Sequence, residues 1–289
     1  MTVERVAVLG GGLMGSGIAE SVARAGIAVT VRDIDEAAIA GAGTRIAASF
    51  NRAIEGGKLV PDEAEAVRQR ITLTTDLEEI AAADLVIEAV PENADLKAGI
   101  LAQVAGIVSA EALIASNTSS IPIAQLAAGV PNPERVLGLH FFSPVPVMNL
   151  VEVVVALDTS EETLAAAREF AERIDKRAIV TKDRSGFIVN MLLVPYLMAA
   201  VRMYEEGFAS AEDIDEGMRR GCGHPMGPLT LADFIGLDVL YSVCDSLYEE
   251  FKESAYAPPP LLKRMVASGR IGRKAGRGFY EYRRDAVAA

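Results

Sequence analysis

The sequence predicts an α/β domain with a doubly wound, mostly parallel sheet, followed by an all-helical domain. Between residues 6 and 181, short apolar runs alternate with stretches of helical periodicity, which is typical of buried parallel strands joined by helices. A glycine-rich turn follows the first of these runs, and helical periodicity dominates from residue 185 onward. We therefore predict two domains, residues 1–184 and residues 185–289, in a chain long enough to bury a large core.

The glycine-rich turn connects the first predicted strand, residues 6–9, to the first predicted helix, which ends before Gly26. The glycines have the spacing Gly10-x-Gly12-x-x-Gly15. Gly10 allows a tight bend, Gly12 allows a pyrophosphate to approach the backbone closely, and Gly15 allows the helix to pack closely on the strand. A purely structural turn would explain the glycines, but not their position between a strand and a helix. This is the pattern of a Rossmann-type dinucleotide-binding domain. The predicted cofactor contacts in the turn are Gly10, Gly12, Leu13, Met14 and Gly15.

Asp33 indicates which dinucleotide binds. It follows the second apolar run, residues 28–31, and lies 18 positions after Gly15. An acidic side chain at the end of the second strand can accept both hydroxyls of the adenosine ribose, and it would repel a 2′-phosphate. This favours NAD over NADP, although the neighbouring Arg32 could instead serve a phosphate.

Composition limits the classes of partner. The formal net charge is −12 and the isoelectric point is about 4.8, which argues against nucleic acid and against an anionic membrane surface as main partners. Only two cysteines, Cys222 and Cys244, and an N-terminus that leads directly into the first strand predict a cytoplasmic protein without disulfides or a signal peptide. The longest apolar run, residues 187–203, contains Asn190 and is interpreted as a buried helix rather than a membrane span.

The remaining elements follow from the same two periodicities. Further strands are predicted at residues 28–31, 71–74, 85–90, 112–116, 135–140, 151–155 and 178–181. Helices are predicted at residues 35–55, 61–69, 94–108 and 161–174, and then at 187–206, 211–220, 228–251 and 260–268. The loop before residue 151 is short and contains prolines, which rules out a helical crossover and predicts an antiparallel strand at 151–155. A strand-like pattern returns at residues 278–282.

His140 is the better candidate for chemistry of the two histidines. It ends the sixth predicted strand, and in open α/β sheets ligands bind beyond the carboxyl ends of the strands. Histidine titrates in the range that a general base for a hydroxyl proton needs, and a carboxylate partner fixes its tautomer. Glu152 is predicted to return beside His140 after the short loop, unless it is a solvent-face residue of its strand. His224, in a loop between helices, is interpreted as structural.

Polar residues also follow the fourth and fifth predicted strands. The segment Ser116-Asn-Thr-Ser-Ser120 could present Ser119 to a substrate oxygen or to the nicotinamide ribose, or its serines could cap the next helix. The segment Glu88-Ala-Val-Pro-Glu92-Asn93, at the end of the fourth strand, could similarly contact the cofactor's far ribose. A Ser-His-Glu hydrolase triad is disfavoured because no G-x-S-x-G elbow surrounds Ser119. No cluster of histidines and cysteines predicts a metal site.

Together, these residues resemble the short-chain L-3-hydroxyacyl-CoA dehydrogenase family, which includes bacterial 3-hydroxybutyryl-CoA dehydrogenases. The resemblance covers essentially the whole chain and implies NAD-dependent oxidation of a (3S)-3-hydroxyacyl-CoA, with a short acyl chain favoured, to the 3-ketoacyl-CoA, or the reverse reduction. The motifs that carry it, in order, are Gly10-Gly-Gly-Leu-Met-Gly15, Ala115-Ser-Asn-Thr-Ser-Ser120, His140-Phe-Phe-Ser-Pro-Val-Pro-Val-Met148, Gly186-Phe-Ile-Val-Asn190, His224-Pro-Met-Gly-Pro228 and Gly276-Arg-Gly-Phe-Tyr280.

The resemblance also implies roles for individual residues and an oligomeric state. The catalytic set that it implies is His140 as the base, Glu152 as its orienting partner, and Ser119 and Asn190 as ligands of the substrate's oxygens. The implied NAD contacts outside the glycine turn are Asp33, Glu92, Lys97, Ser119 and Lys274. The coenzyme A contacts are expected at Ser49, Arg52 and Lys58. A homodimer formed through the C-terminal helical domain is also implied.

Two positions depart from the family pattern. Gly56 stands where a second basic residue is common, with Lys58 two residues further on, and Ser143 stands in place of the usual asparagine. Serine keeps a hydrogen-bonding group with a shorter reach, so we expect turnover or substrate choice to differ. Two rival functions remain: a dehydrogenase of a free hydroxy acid or sugar acid on the same fold, and a noncatalytic NAD-binding protein. The basic residues Arg52 and Lys58 favour a CoA ester over a free acid.

Overall fold

The computed structural model describes residues 2–282, and the chain forms two compact units. The first unit ends at Arg184 and the second begins at Ser185. The first unit is a sheet with helices, as the alternating apolar runs predict, and the second unit is helical. The predicted fold class is therefore confirmed for both parts of the chain.

The first unit is built on one sheet. Its strands are β1 (Arg5–Leu9), β2 (Ala28–Arg32), β3 (Ile71–Thr74), β4 (Leu85–Glu88), β5 (Leu113–Ser116), β6 (Val136–Phe141), β7 (Leu150–Val155) and β8 (Arg177–Lys182). They lie in the order β3-β2-β1-β4-β5-β6-β7-β8, and neighbours are parallel except β6 and β7, which are antiparallel as the short loop predicts. The order reverses direction between β1 and β4, the position at which doubly wound sheets bind ligands.

Helices cover the sheet of the first unit. They are α1 (Leu13–Arg24), α2 (Glu36–Glu55), α3 (Pro61–Arg68), α4 (Ala94–Ala105), α5 (Ile123–Ala127) and α6 (Glu161–Arg173). Three of them begin at side-chain caps, since Asp35, Asn93 and Ser160 each accept the backbone N–H three residues later. The core joins buried strand and helix side chains, such as Ile87 of β4 and Phe170 of α6. The central apolar runs thus form buried strands, whereas the edge strands β3 and β8 are only partly buried.

The second unit departs from two sequence predictions. Its helices are α7 (Val189–Glu205), α8 (Ala211–Cys222), α9 (Pro228–Ile235), α10 (Leu237–Phe251) and α11 (Pro260–Ala267). The single helix predicted over residues 228–251 is wrong, because Gly236 adopts a φ of 101° and separates α9 from α10. Glycine adopts this backbone conformation without the strain that a Cβ atom would cause. In the strand-like pattern at residues 278–282, only Glu281 forms a bridge, with Arg277, so the predicted strand is not regular.

The apolar run at residues 187–203 belongs mostly to α7, whose side chains, such as Leu197 and Val201, pack into the core of the second unit. Cys244 of α10 lies in the same core, where burial raises the pKa of its thiol to about 12, so it packs as an apolar side chain. Within residues 2–282, no helix combines the length and the apolar character that a membrane crossing requires.

Candidate active site

The glycine turn after β1 has the shape that a dinucleotide cradle requires. Gly10 has a φ of 94°, and a Cβ atom there would lie 2.7 Å from the carbonyl oxygen of Ala89. A Cβ atom on Gly15 would collide with the carbonyl oxygen of Gly10, so α1 packs closely on the turn. By contrast, a Cβ atom on Gly12 would meet no described atom within 4 Å. The space over Gly12 is therefore open to a pyrophosphate.

The start of α1 has no side-chain cap among the described residues. Gly12 is its N-cap residue, and the adjacent Leu13 is 70% exposed. In contrast, α2 and α4 begin at Asp35 and Asn93, whose side chains accept backbone N–H groups. The backbone N–H groups at the start of α1 and the positive end of its helix dipole therefore fit the pyrophosphate of a dinucleotide.

Asp33 follows the carboxyl end of β2, and neighbouring backbone groups hold its carboxylate in place. Oδ2 accepts the N–H of Gly11 and Oδ1 accepts the N–H of Ile34, both at 2.7 Å. Each oxygen retains a second lone pair that a ribose hydroxyl can use. The neighbouring Arg32 donates from Nε to the carbonyl oxygen of Thr75 at 3.3 Å. This arrangement fits NAD, because a 2′-phosphate would face a fixed carboxylate.

His140 and Glu152 face each other across the antiparallel pair of β6 and β7. They are directly opposite residues, and Nδ1 of His140 lies 2.6 Å from Oε2 of Glu152. His140 is 6% exposed and Glu152 is fully buried, so the alternative of a solvent-face glutamate is wrong. A carboxylate at Nδ1 favours the tautomer with a proton on Nδ1 and a lone pair on Nε2. The predicted proximity is confirmed, and it gives the arrangement of a general base with an orienting carboxylate.

Ser119 lies in the segment after β5 and is hydrogen-bonded to Glu92. Its backbone N–H and its hydroxyl donate to Oε1 of Glu92 at 3.0 and 3.3 Å, and the hydroxyl of Thr118 donates to the same oxygen at 2.6 Å. The alternative in which these serines cap the next helix is wrong. The N-cap residue of α5 is Pro122, and Asp183 accepts the N–H groups of its first two helical residues at 2.8 and 2.7 Å.

One acidic residue of the segment predicted to contact the cofactor's far ribose is fully buried. Glu88, the last residue of β4, accepts Nζ of Lys97 at 2.7 Å and the hydroxyl of Ser116 at 2.5 Å. Nζ of Lys97 also lies 3.2 Å from Oε2 of Glu92 and donates to the carbonyl oxygen of Val90 at 3.1 Å. The Lys97 side chain is 1% exposed, so its ammonium is engaged inside the protein, where it holds Glu92. The direct NAD contact that the resemblance implies for Lys97 stays a prediction.

The charge state of Glu92 depends on these contacts. Burial opposes ionisation of its carboxyl group, but the Lys97 ammonium and the hydrogen bonds from Thr118 and Ser119 outweigh burial and lower the pKa of Glu92. Its side chain remains 33% exposed. Glu92 is thus an ionised, partly exposed carboxylate beside Ser119, which is a suitable acceptor for ribose hydroxyls.

A pocket of about 260 Å³ is lined by α1, α2 and the loop after β6. Ser49 and Arg52, which are predicted to meet coenzyme A, line it from α2, and Ser143 lines it from the loop. Arg45 is a further lining residue, which sequence reasoning missed. Lys58 is exposed beyond the end of α2 and lies outside the described lining. The guanidinium of Arg52 and the hydroxyls of Ser49 and Ser143 suit the phosphate groups of a large anionic thioester.

Three residues singled out from the sequence belong to the second unit. Asn190 lies in the first turn of α7. Lys274 forms an ion pair with Asp238 at 2.7 Å. Nδ1 of His224 lies 3.2 Å from the hydroxyl of Tyr196, which agrees with a structural histidine. Among the described residues, no group of three or more His, Cys, Asp or Glu side chains is arranged to hold a metal ion.

Comparison with known protein families gives two matches that together span most of the chain. Residues 5–184 match the family described as 3-hydroxyacyl-CoA dehydrogenase, NAD binding domain. Residues 186–282 match the family described as 3-hydroxyacyl-CoA dehydrogenase, C-terminal domain.

Individual relatives extend this match. A 3-hydroxybutyryl-CoA dehydrogenase of Mycobacterium tuberculosis is 51% identical to this chain over 97% of this chain and 99% of its own length. The crystal structure of FadB2 from M. tuberculosis has a TM-score of 0.96 at 50% identity, covering 98% of this chain and 100% of that chain. The crystal structure of (S)-3-hydroxybutyryl-CoA dehydrogenase PaaH1 from Ralstonia eutropha has a TM-score of 0.92 at 44% identity, with coverage of 98% and 100%.

Proposed function

The chain belongs to the 3-hydroxyacyl-CoA dehydrogenase family, and we propose that it interconverts a short-chain (3S)-3-hydroxyacyl-CoA and the corresponding 3-ketoacyl-CoA with NAD. The observation that carries this proposal is the buried His140–Glu152 pair, with 2.6 Å between Nδ1 and Oε2, in the same unit as the glycine turn. The names of the relatives support 3-hydroxybutyryl-CoA as the substrate.

His140 carries the proton in this reaction. When its Nδ1–H is donated to Glu152, the lone pair on Nε2 accepts the proton of the substrate's 3-hydroxyl group as the C3–H bond breaks. The carboxylate of Glu152 then lies beside the imidazolium and stabilises its positive charge. In the reverse direction, the imidazolium returns the proton to the carbonyl oxygen. A general base positioned in this way contributes about 10²- to 10⁴-fold to the rate.

The residues that would hold NAD lie at the carboxyl ends of the central strands. NAD, when bound, accepts the hydride that leaves C3 of the substrate. The start of α1 would hold the pyrophosphate and Asp33 the adenosine ribose. Glu92 and Ser119, which are hydrogen-bonded to each other, would hold the other half of the dinucleotide.

The substrate's coenzyme A is assigned to the 260 Å³ pocket, in which Ser49 and Arg52 would bind phosphate groups. Lys58 would add positive charge near the end of α2. Ser119 and Asn190 are assigned to the oxygens of the acyl group, an assignment that for Asn190 rests on the family resemblance alone.

The test of this function is the oxidation of NADH by acetoacetyl-CoA, followed through the absorbance of the reduced nicotinamide. We expect turnover with acetoacetyl-CoA, a much lower kcat/KM with free acetoacetate, and a kcat/KM that falls as the acyl chain lengthens. A higher kcat/KM with free acids would indicate the free-acid dehydrogenase instead. Binding of NADH without turnover of any 3-ketoacyl-CoA would indicate the noncatalytic protein.

We also propose that the protein is a cytoplasmic homodimer that associates through its second unit. Two unpaired cysteines, one exposed and one buried, agree with a reducing compartment. Leu192 of α7, at 72%, and Phe208, at 78%, are large apolar side chains exposed on the second unit, and an interface there would bury such side chains. Sedimentation should give twice the chain mass of 30.6 kDa, and Leu192→Asp should shift it toward the monomer. A monomer at all concentrations would contradict the homodimer.

A further inference from the structure

Arg45 connects α2 to the glycine turn through two hydrogen bonds. Its Nε and Nη2 atoms both donate to the carbonyl oxygen of Gly11, at 3.0 and 2.6 Å. The hydroxyl of Ser16 donates to the same oxygen at 2.7 Å, and the N–H of Gly11 donates to Asp33 at 2.7 Å. Both backbone polar groups of Gly11 are therefore held by side chains, which come from α1, from α2 and from the end of β2.

The turn also lies directly against α2. A Cβ atom on Gly11 would come within 2.5 Å of the Cβ atom of Ala42, which lies almost one helical turn before Arg45. The backbone of the turn thus touches α2 at Ala42, and Arg45 bonds to it from the next turn of the helix. Because a guanidinium presents its donors in a rigid, planar fork, two bonds to one oxygen restrict the position of Gly11 more than a single donor would.

Arg45 also brings positive charge to the turn. The basic residue that α1 itself carries in its last turn, Arg24, lies at the far end of the helix from Gly12. The start of the helix supplies roughly half an elementary charge. A guanidinium bonded to Gly11 adds a full charge next to Gly12, over which the space for a pyrophosphate is open. This local charge matters in a chain whose formal net charge is −12.

We propose that Arg45 is a positioning residue for the dinucleotide: it holds Gly11 in the geometry that the pyrophosphate needs and increases the affinity of the turn for it. The proposal rests on the proposed use of NAD. It assigns Arg45 to the cofactor, although its side chain also lines the pocket that contains Ser49 and Arg52.

The direct test is the affinity of the folded protein for NADH, measured by the fluorescence of the bound nicotinamide without any CoA compound. Arg45→Leu should raise the Kd for NADH on the order of tenfold, since it removes two charge-assisted hydrogen bonds and one positive charge. Arg45→Lys keeps the positive charge but loses the planar pair of donors, so its Kd for NADH should lie between that of the wild type and that of Arg45→Leu. The Kd should also rise less steeply with salt in Arg45→Leu than in the wild type, because a charge has been removed beside the pyrophosphate.

Arg52→Leu is the matched control, because it removes the same charge from the same helix and pocket. We expect it to leave the Kd for NADH close to that of the wild type. If Arg45→Leu and Arg45→Lys bind NADH within twofold of the wild type, or if Arg52→Leu weakens NADH as much as Arg45→Leu, the proposal is wrong. If Arg45→Leu fails to fold, as judged by circular dichroism, Arg45→Lys still decides it. A wild type that binds no NADH would instead overturn the proposed function.

Discussion

The two units of the chain use buried carboxylates in different ways. In the first unit, Glu152 lies 2.6 Å from a histidine nitrogen and Glu88 lies 2.7 Å from a lysine ammonium. In the second unit, Asp233 accepts two backbone N–H groups from residues 279–282 at 2.9 and 3.0 Å and a tyrosine hydroxyl from the same segment at 3.0 Å. Glu152 and Glu88 thus each face a nitrogen of an ionisable side chain, whereas Asp233 anchors a segment of backbone.

The difference shows how each unit offsets the cost of burying a carboxylate. In the first unit a nearby cation, Lys97, compensates Glu88. In the second unit the partners are uncharged donors, so burial raises the pKa of Asp233. Burial and the adjacent Asp233 carboxylate likewise raise the pKa of the Tyr282 phenol. We therefore expect substitutions in the first unit to change turnover or to leave a charge uncompensated, and substitution of Asp233 to change stability alone.

The largest expected effect is on turnover and comes from His140→Gln. This change removes the proposed base while keeping a side chain that can hydrogen-bond to Glu152, so kcat should fall on the order of 10²- to 10⁴-fold. The measurement is steady-state oxidation of NADH by acetoacetyl-CoA. Asp233→Asn is the control from the second unit, and its kcat should stay near the wild-type value. A comparable loss of kcat in Asp233→Asn would contradict the expectation that substitution of Asp233 changes stability alone.

The His140–Glu152 pair could be predicted from the sequence because local signals define it. A loop too short for a helical crossover forces β7 to return antiparallel to β6, and the register then places the two residues opposite each other. The central parallel strands β1, β4 and β5 could be predicted for a similar reason, since each is formed mainly by a short apolar run. The glycine spacing and the acidic residue after the second strand are likewise local patterns, and they indicate a dinucleotide ligand.

The contacts of Lys97 and Arg45 could not be predicted in this way. A lysine in a helix is ordinarily exposed, and the burial of Lys97 depends on how α4 packs over the ends of β4 and β5. The bonds from Arg45 to Gly11 join residues 34 positions apart, with no periodicity to connect them. The helix break at Gly236 could not be predicted either, because an isolated glycine is tolerated within a helical pattern and its φ of 101° is not visible in the sequence.

The next largest effect is on stability and comes from Lys97→Met. This change leaves Glu88, which is fully buried, without its cation, and removing one partner of a buried pair costs about 3–5 kcal/mol. The midpoint of urea unfolding measures the loss. The double variant Lys97→Met/Glu88→Gln removes both charges and should recover part of the lost stability. A double variant no more stable than Lys97→Met would show that charge compensation is not what Lys97 supplies.

The smallest expected effect is a change in pH dependence, with opposite signs at Asp233 and Glu92. Because the folded pKa of Asp233 is raised, its contribution to stability is fully present below the unfolded value of 3.8 and is lost as pH rises through the folded pKa. Asp233→Asn, which should cost about 1–3 kcal/mol of stability, should therefore destabilise the protein more at about pH 4 than at about pH 7.

The opposite sign is expected for Glu92, whose folded pKa is lowered. Its contribution to stability is present above the unfolded value of 4.5 and is lost as pH falls through the folded pKa, so Glu92→Gln should destabilise the protein more at about pH 7 than at about pH 4. Urea unfolding of both variants and the wild type at the two pH values, without cofactor, measures these differences. Equal signs for the two variants would mean that the carboxylates of the two units are compensated in the same way.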